Sequence, residues 1–183
     1  MVLASCTAAW RPLILRGMTD IAGAGDNAAV PFALQGGEGR TLETPTGGHV
    51  HIKADAANTN GSLSVMEITQ PPGQGPALHT HSRDDEVWYV LEGEFRFKAG
   101  DEMFRLSPGG MAFGPRGTPH CFQNIGQGHG RLLVITAPAG LEHFFEQFAA
   151  LPPGAMDLEA LAAAGRTAGV EFVGPPLALS DPL

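Results

Sequence analysis

Two stretches of this 183-residue chain carry side chains of the kinds that bind metal ions. The first stretch, Gly73 to Gly93, is GQGPALHTHSRDDEVWYVLEG, and the second, Gly109 to Asn124, is GGMAFGPRGTPHCFQN. The candidate ligands are His79, His81, Glu86 and His120. Three imidazoles and one carboxylate form a ligand set that first-row divalent metals accept. A fold that uses all four must bring two separate segments of the chain together at one point.

The spacing within the first stretch is that of a β-strand followed by a turn. His79 and His81 are two residues apart, so on a strand both side chains point to one face. A polar run of four residues then predicts a turn or bulge, after which Glu86 can return to that face. Asp84 and Asp85, which belong to this run, are expected in a solvated turn.

Both stretches resemble, position by position, the two sequence motifs of the cupin family. The first has the cupin spacing of glycine, two histidines, glutamate and glycine, and the second has that of glycine, proline, glycine, histidine and asparagine. The resemblance implies an all-β fold, a jelly-roll β-barrel with a short C-terminal helical extension. It also implies that the four candidate ligands hold one divalent first-row metal, which the ligand types leave open among iron, manganese, nickel, cobalt, copper and zinc. Gly110 departs from many relatives, which carry aspartate there.

The composition suits one β-rich domain. The 25 glycines and 15 prolines, with only 16% charged residues, favour short strands joined by tight turns. The formal net charge of −8 argues against nucleic acid as a partner, because phosphate contacts need clustered lysine and arginine. No apolar run approaches the roughly 20 residues of a membrane-spanning helix. We therefore expect a cytoplasmic protein without a membrane partner.

Three regions are expected along the chain. Residues 1–30 predict an irregular N-terminal arm, residues 31–139 the barrel, and residues 140–183 C-terminal helices and a tail that pack on the barrel. The arm contains LASC, which imitates a lipoprotein cleavage box, but no basic or apolar segment precedes it. An ordinary leader is expected instead, or a natural start at Met18 rather than at Met1.

Period-two alternation and short apolar runs between turn signals predict the strands of the barrel. The predicted strands are Val30–Leu34, His49–Lys53, Ser62–Thr69, Glu86–Leu91, Phe95–Lys98, Glu102–Leu106, Arg131–Thr136 and Val170–Val173. Leu141, Phe144, Phe145 and Phe148 lie on one face of a predicted amphipathic helix, and Asp157 predicts the N-cap of a second helix.

Strand parity selects candidates for a substrate pocket. Trp88 and Phe122 share the faces of the nearest ligands, so both are expected to line an apolar pocket beside the metal. Core packing would account for the same two positions equally well, and that alternative stays open. Phe113 and Met66 are further candidates of the same kind. Cys121 is expected to point away from the metal as a buried thiol.

A second His-x-His pair, His49 and His51, has no carboxylate or glycine framework nearby. We interpret it as the polar face of a strand rather than as a second metal site. His129 and His143 lie outside both motifs and receive no role.

The barrel followed by the segment PAGLEHFFEQFA resembles the small quercetin dioxygenase-like cupins of bacteria. The resemblance implies a dioxygenase whose metal brings a small enolisable or aromatic substrate and dioxygen together. Glu86 would be both a metal ligand and the base that accepts the substrate's hydroxyl proton. A metal-dependent isomerase, lyase or epimerase for a small polar molecule, and a non-enzymatic metal or small-ligand binding barrel, stay open as alternatives. A homodimer is expected from the same resemblance.

Overall fold

Eleven strands and three helices account for the regular structure in the computed structural model, which describes residues 29–152 and 157–183. In chain order the elements are β1 (Arg40–Glu43), β2 (His49–Ala54), β3 (Ser64–Gln70), β4 (Ala77–His81), β5 (Asp85–Glu92), β6 (Phe95–Ala99), β7 (Glu102–Leu106), β8 (Met111–Gly114), β9 (His120–Asn124), β10 (Gly130–Ala137), α1 (Leu141–Ala149), α2 (Leu158–Ala168), β11 (Val170–Pro176) and α3 (Leu177–Ser180).

The strands form two antiparallel sheets with the core between them. One sheet has six strands in the order β1-β2-β3-β10-β5-β8, and the other has five in the order β11-β4-β9-β6-β7. Large side chains from both sheets, including Trp88, Phe97 and Leu132, are almost fully buried in one cluster. The predicted all-β jelly roll with a helical C-terminal segment is confirmed.

The polar and apolar alternation of β2 shows why the sequence favours these strands. Val50 and Ile52 are buried, whereas His49 and His51 alternate with them and are only partly covered. The two histidine rings lie edge to face at 5.0 Å, and His51 shares a 2.9 Å hydrogen bond with Thr41 on β1. This pair therefore lies on the polar face of the strand, as the sequence predicts.

The N-terminal expectations fall mostly on residues that the structure does not describe. The arm up to residue 28, with the LASC segment and Met18, lies outside the described residues. The predicted strand Val30–Leu34 is wrong, since residues 29–38 have no strand conformation and are exposed. Among the described residues no strand lies beside this segment to accept its backbone hydrogen bonds, and a strand without a partner gains little in water.

The C-terminal region supplies a strand to the barrel as well as helices. β11 pairs with β4, so that Phe172 lies opposite His79 and Val170 opposite His81. α2 begins at the predicted cap, because the Asp157 side chain accepts hydrogen bonds from two backbone amides of the first turn. It ends at Gly169, whose φ of 79° is the left-handed conformation that glycine adopts most easily.

A buried carboxylate fastens α1 to the barrel. Glu142 is only 1% exposed and accepts hydrogen bonds from the Ser64 hydroxyl and from the backbone amides of Ala56 and Gly140, the latter two at 2.8 and 2.9 Å. Burial opposes ionisation, but these hydrogen bonds outweigh it and hold the pKa of Glu142 below its ordinary value of 4.5. Glu142 thus ties the start of α1 to the barrel as an ionised side chain.

The outer face of the six-stranded sheet carries exposed apolar side chains near its edge. Tyr89 on β5 lies opposite Met111 on β8, and Phe113 follows on the same strand. All three are more than two-fifths exposed. The homodimer and the cytoplasmic location stay predictions. No helix in the described part of the chain is long and apolar enough to cross a membrane.

We expect Glu142→Gln to reduce the free energy of unfolding by about 1–3 kcal/mol, because buried donors lose a charged acceptor. Since the folded-state pKa of Glu142 lies below 4.5, its contribution is present above the ordinary pKa and is lost as the pH falls through the folded value. The difference between the two proteins in urea unfolding should therefore shrink as the pH falls below 4.5.

The matched control for this prediction is Glu159→Gln in α2, whose carboxylate is 86% exposed and pairs only with Arg166. An exposed pair of this kind contributes about 0–1 kcal/mol, so this variant should unfold almost like the wild type. Equal stability of the Glu142 variant and wild type at neutral pH would contradict the fastening role.

Candidate metal centre

Four buried side chains from three strands converge between the two sheets. β4 contributes His79 and His81, β5 contributes Glu86, and β9 contributes His120. One ligand atom from each lies within 4.8 Å of all the others. Each side chain is at most 8% exposed.

The strand register explains how the two sequence stretches meet. His79 lies directly opposite His120 where β4 pairs with β9. His81 shares the face of His79 because it is two residues further along the strand. The three-residue connection 82–84 then carries the chain into the facing sheet, where Glu86 is the second residue of β5. The centre therefore exists only where both sheets are packed together.

Each imidazole is oriented by a hydrogen bond from its outer nitrogen. His79 Nδ1 and His120 Nδ1 donate to the carbonyl oxygens of Ala77 and Thr118, at 2.8 and 2.9 Å. These bonds assign the proton to Nδ1 and leave Nε2 with a free lone pair. Two of the three rings are thus held by the backbone, in the tautomer that a metal ligand requires.

The inner atoms of the cluster have no hydrogen-bond partner among the described residues. These atoms are His81 Nε2, His120 Nε2 and Glu86 Oε2. The Glu86 oxygen lies 3.2 Å from His120 Nε2 and 3.4 Å from His81 Nε2. Buried polar atoms left unsatisfied cost free energy. A divalent cation accepts lone pairs from all of them, so the residues fit a metal of the kind the sequence implies.

The protonation states of two members also suit a cation. Burial lowers the pKa of His79 to about 3, and the neighbouring His120 and His81 act in the same direction. This imidazole is therefore neutral at neutral pH. Burial raises the pKa of Glu86, but the attraction of His81 and the contact with His120 outweigh it and keep the pKa below its ordinary value. The cluster combines a neutral nitrogen donor with an ionised carboxylate.

Asp84 corrects the expectation of a solvated turn. It is only 3% exposed, and its carboxylate accepts a 2.7 Å hydrogen bond from His81 Nδ1. Asp85 does lie near the surface, where Arg116 binds it at 2.9 Å. The arrangement of carboxylate and imidazole at Asp84 fixes a metal-ligating ring and raises its basicity. Spacing gave no sign of it, because turn residues do not follow strand parity.

Trp88 and Met66 belong to the core rather than to a cavity wall. Trp88 is buried and packs edge-on against the His120 ring, with centroids 5.0 Å apart. Gly114 makes room for it, since a Cβ there would come within 2.6 Å of the indole. Met66 is fully buried in the apolar cluster. Phe113 lies farther away, because the parity of β8 directs it outward, where it is 52% exposed.

Cys121 is not part of the centre. It follows His120 on β9, so its side chain points to the other face of the strand. The thiol is buried there, and burial raises its pKa to about 11. At neutral pH it is therefore a protonated, structural thiol, as the sequence predicts.

A cavity reaches the centre from the side of the C-terminal region. Its volume is about 180 Å³, more than ten times the room that one water molecule needs. His79, His81 and Glu86 lie in its wall, and so does Phe122. Most of the remaining apolar wall comes from the C-terminal region. These residues are Leu141, Phe144, Phe145, Phe148, Leu161, Val170 and Phe172.

The aromatic part of this wall was missed as a site by sequence reasoning. Phe144 and Phe148 stack at 5.5 Å with planes 9° apart, and Phe172 lies 6.0 Å from the His79 ring. The amphipathic pattern of α1 was itself the available signal. It predicted a face that packs on the barrel, and the same face closes a cavity over the metal ligands.

Comparison with known proteins identifies a matching family model and similar proteins. Residues 66–136 match the model of the Cupin domain. The chain is 30% identical over 120 residues to quercetin 2,3-dioxygenase of Bacillus subtilis, covering 65% of this chain and 35% of that protein. It is 28% identical over 76 residues to an oxalate-binding protein of Thermotoga maritima, covering 42% of this chain and 63% of that protein. The chain thus spans less than two thirds of each of these relatives.

A solved structure shows the same fold. An RmlC-like cupin from Shewanella frigidimarina superimposes with a TM-score of 0.51 and 23% sequence identity. The match covers 62% of this chain and 95% of that protein. The two proteins therefore share the jelly-roll fold, and this chain also contains segments that the match does not cover.

We expect protein purified without chelators to contain about one divalent metal ion per chain, and His120→Ala to lose it. Loss of an outer partner of a ligand already weakens metal binding by roughly 10–100-fold, so loss of the ligand itself should cost more. Elemental analysis and competition with a chromophoric chelator measure both quantities. His49→Ala, from the second His-x-His pair, is the matched control. Full metal occupancy in His120→Ala would refute the assignment.

Asp84→Asn should weaken metal binding by roughly 10–100-fold while the protein stays folded, because the His81 ring loses its charged partner. The chelator competition measures the affinity, and circular dichroism verifies the fold. Asp101→Asn, at the exposed tip of the β6–β7 hairpin, should bind metal like the wild type. Unchanged affinity in Asp84→Asn would show that this carboxylate has no positioning role.

Proposed function

This chain belongs to the cupin superfamily, and from that premise we propose that it is a metal-dependent dioxygenase for a small enolisable or aromatic substrate. The observation that carries the proposal is the position of the ligand cluster, at the wall of an apolar cavity rather than in closed core. The similarity to quercetin 2,3-dioxygenase of Bacillus subtilis supports this reaction class.

The four ligands have separate tasks in this proposal. His79, His81 and His120 would hold the metal through their Nε2 atoms, and Glu86 would complete the set. A bound divalent first-row metal would supply Lewis-acid activation of an enol or carbonyl oxygen. Because the ligand types suit several metals, iron, manganese, nickel, cobalt, copper and zinc all remain candidates.

Glu86 is the residue that we assign to proton transfer. It lines the cavity as well as the cluster, so a substrate hydroxyl can reach it. Its pKa lies below the ordinary value, so it is ionised and able to accept a proton but is a weak base. A bound cation would stabilise this charge further, so Glu86 would act as a base only where it is not fully engaged by that cation.

The cavity wall favours this class over a simple polar ligand. Phe122, Phe144 and Phe172 make the wall beside the ligands apolar, and low polarity strengthens electrostatic interactions there. None of the described residues that line the cavity is a lysine or an arginine. A sugar or a small dianion would therefore find few groups to replace its hydration.

A non-enzymatic binding barrel is the second candidate, because the chain is also similar to an oxalate-binding protein of Thermotoga maritima. A binding barrel of this kind needs no open coordination position on the metal for a reactant. The open cavity beside His79 and Glu86 favours a site that admits a reactant instead. Both candidates use the same four ligands, and they differ in whether dioxygen is consumed.

The test is oxygen uptake with a flavonol after the protein is loaded with iron, nickel, manganese or cobalt in turn. We expect at least one metal form to consume oxygen at a rate that saturates with substrate. Glu86→Gln should keep the fold and lower kcat by roughly 10²–10⁴-fold, as removal of a general base does. An oxygen electrode measures the rates, and elemental analysis verifies the metal content of each sample.

His49→Ala provides the control, since its side chain lies on the polar face of β2, opposite to that of the buried Val50, and does not line the cavity. Its rate should equal that of the wild type. Failure of every metal form to consume oxygen with any enolisable compound would remove the dioxygenase proposal. A metal-loaded Glu86→Gln protein with full activity would remove only the role of Glu86 as base.

A further inference from the structure

The cavity is elongated, and its two ends differ in chemistry. In the six-stranded sheet Glu86 is level with Ser64, because both pair with Thr136 on β10. Ile68 also lines the cavity, four residues further along β3. Four residues of a strand span about 13 Å. The cavity therefore extends along the strands, away from the metal ligands.

The five-stranded sheet gives the same length independently. His120 begins β9 and Asn124 ends it, four residues later. The Asn124 amide donates to the carbonyl oxygen of Gln74 at 2.9 Å, which places Gln74 level with that end of the strand. Gln74 also lines the cavity. Both sheets thus place the far end about 13 Å from the metal ligands.

The far end is polar and opens to solvent. Its side chains include Thr44, Thr46, Gln70 and Gln74. Thr46 and Gln74 are exposed, so this end is the mouth. Within the described chain the amide side chains of Gln70 and Gln74 make no hydrogen bond to protein. Two free amides offer both donors and acceptors to a ligand that reaches them.

The middle of the cavity is aromatic and held in place. Phe144 and Phe148 stack against each other, and Phe122 faces them from β9. α1 carries two of these rings and is fastened by Glu142 and by the ion pair of Glu146 with Arg40. A planar apolar group fits such a wall best, because aromatic rings favour stacked or edge-on contact.

From these three zones we infer that Gln70 and Gln74 form a distal specificity site for a hydroxyl group on an elongated planar substrate. This inference rests on the proposed function for its reactive end. A metal–oxygen bond takes about 2 Å and a hydrogen bond about 3 Å. The 13 Å is a rise along the strands, and side chains from both ends reach into it, so about 8 Å or less then separates the two oxygen atoms of a substrate that spans the cavity. Two or three fused or linked rings meet that length.

The experiment is anaerobic calorimetric titration of zinc-loaded protein, so that binding is measured without turnover. The probes are 3-hydroxyflavone and 3,4′-dihydroxyflavone, which differ only in a hydroxyl at the end remote from the enol. We expect wild type to bind the dihydroxy compound roughly 3- to 10-fold more tightly, as one hydrogen bond provides. Gln70→Ala/Gln74→Ala should lose this preference and bind 3-hydroxyflavone unchanged.

Two controls separate the contributions of the wall and of the distal site. Gln35→Ala/Gln127→Ala removes two exposed amides outside the cavity and should keep the preference. Phe148→Ala should lower the affinity for both probes equally, by roughly 10-fold. Phe113→Ala, on the outer face, should change neither affinity. Circular dichroism verifies that each variant is folded.

The outcomes distinguish this inference from the function on which it rests. Equal binding of the two probes to wild type, or a preference that survives in Gln70→Ala/Gln74→Ala, overturns the distal site and leaves the dioxygenase proposal intact. Selective binding in zinc-loaded protein together with no oxygen uptake in any metal form upholds the distal site and overturns the dioxygenase proposal. Absence of binding by either probe overturns the elongated aromatic substrate.

Discussion

The burial of four ligand side chains between two sheets, with three inner atoms left unsatisfied, is the constraint on which the rest of this structure depends. Imidazole nitrogens and a carboxylate oxygen are withdrawn from water and face each other with no hydrogen-bond partner among the described residues. Such an arrangement is costly unless a cation occupies its centre. Metal binding and folding are then linked, because the bound ion stabilises the packed sheets and the packed sheets create the site. The pairing of β4 with β9 and the short connection to β5 both serve this point of convergence.

The barrel motifs and the C-terminal region contribute different parts of the site. The motifs build the metal centre, whereas α1 and β11 supply most of the aromatic wall of the cavity. β11 pairs directly with the strand that carries His79 and His81, so wall and centre are held in one sheet. Much of the aromatic wall therefore comes from segments outside the residues that match the Cupin domain, whereas Phe122, Gln70 and Gln74 lie within them. This is why shared motifs establish the fold and the ligands but leave the substrate to a separate argument.

The sequence predicted the centre well because strand parity and motif spacing act on it directly. His79 and His81 lie on one face, Cys121 on the other, and Asp157 caps its helix, all from local rules. Strand parity predicts whether a side chain points into the barrel, but it does not predict which residues that side chain contacts. Trp88 and Phe122 both point inward, yet Trp88 packs behind His120 in the space left by Gly114 and only Phe122 reaches the cavity.

Two further physical reasons explain why the sequence did not predict the role of Asp84 or the cavity wall formed by α1. A turn has no period, so nothing in the order of residues showed that the Asp84 carboxylate folds back onto His81. The apolar face of α1 has a clear helical period, but an apolar face that packs on a core and one that closes a cavity have the same pattern. Only the tertiary position of Phe144 and Phe148 opposite Phe122 distinguishes them.

For the dioxygenase that we propose, charge balance in the cavity would favour an enolate as the bound species. A divalent cation held by the four ligands, of which Glu86 is the single carboxylate, would leave one positive charge in excess within the ligand set, because a neutral imidazole such as His79 adds none. The Asp84 carboxylate offsets part of this excess from behind the His81 ring. The lining within the described chain contributes no lysine or arginine. A substrate with one negative oxygen neutralises this excess, and its rings then lie against the aromatic wall. A dicarboxylate would instead bury a net negative charge among phenylalanine rings, where charge is poorly solvated. The same low polarity that weakens binding of such anions strengthens the attraction between an enolate oxygen and the metal.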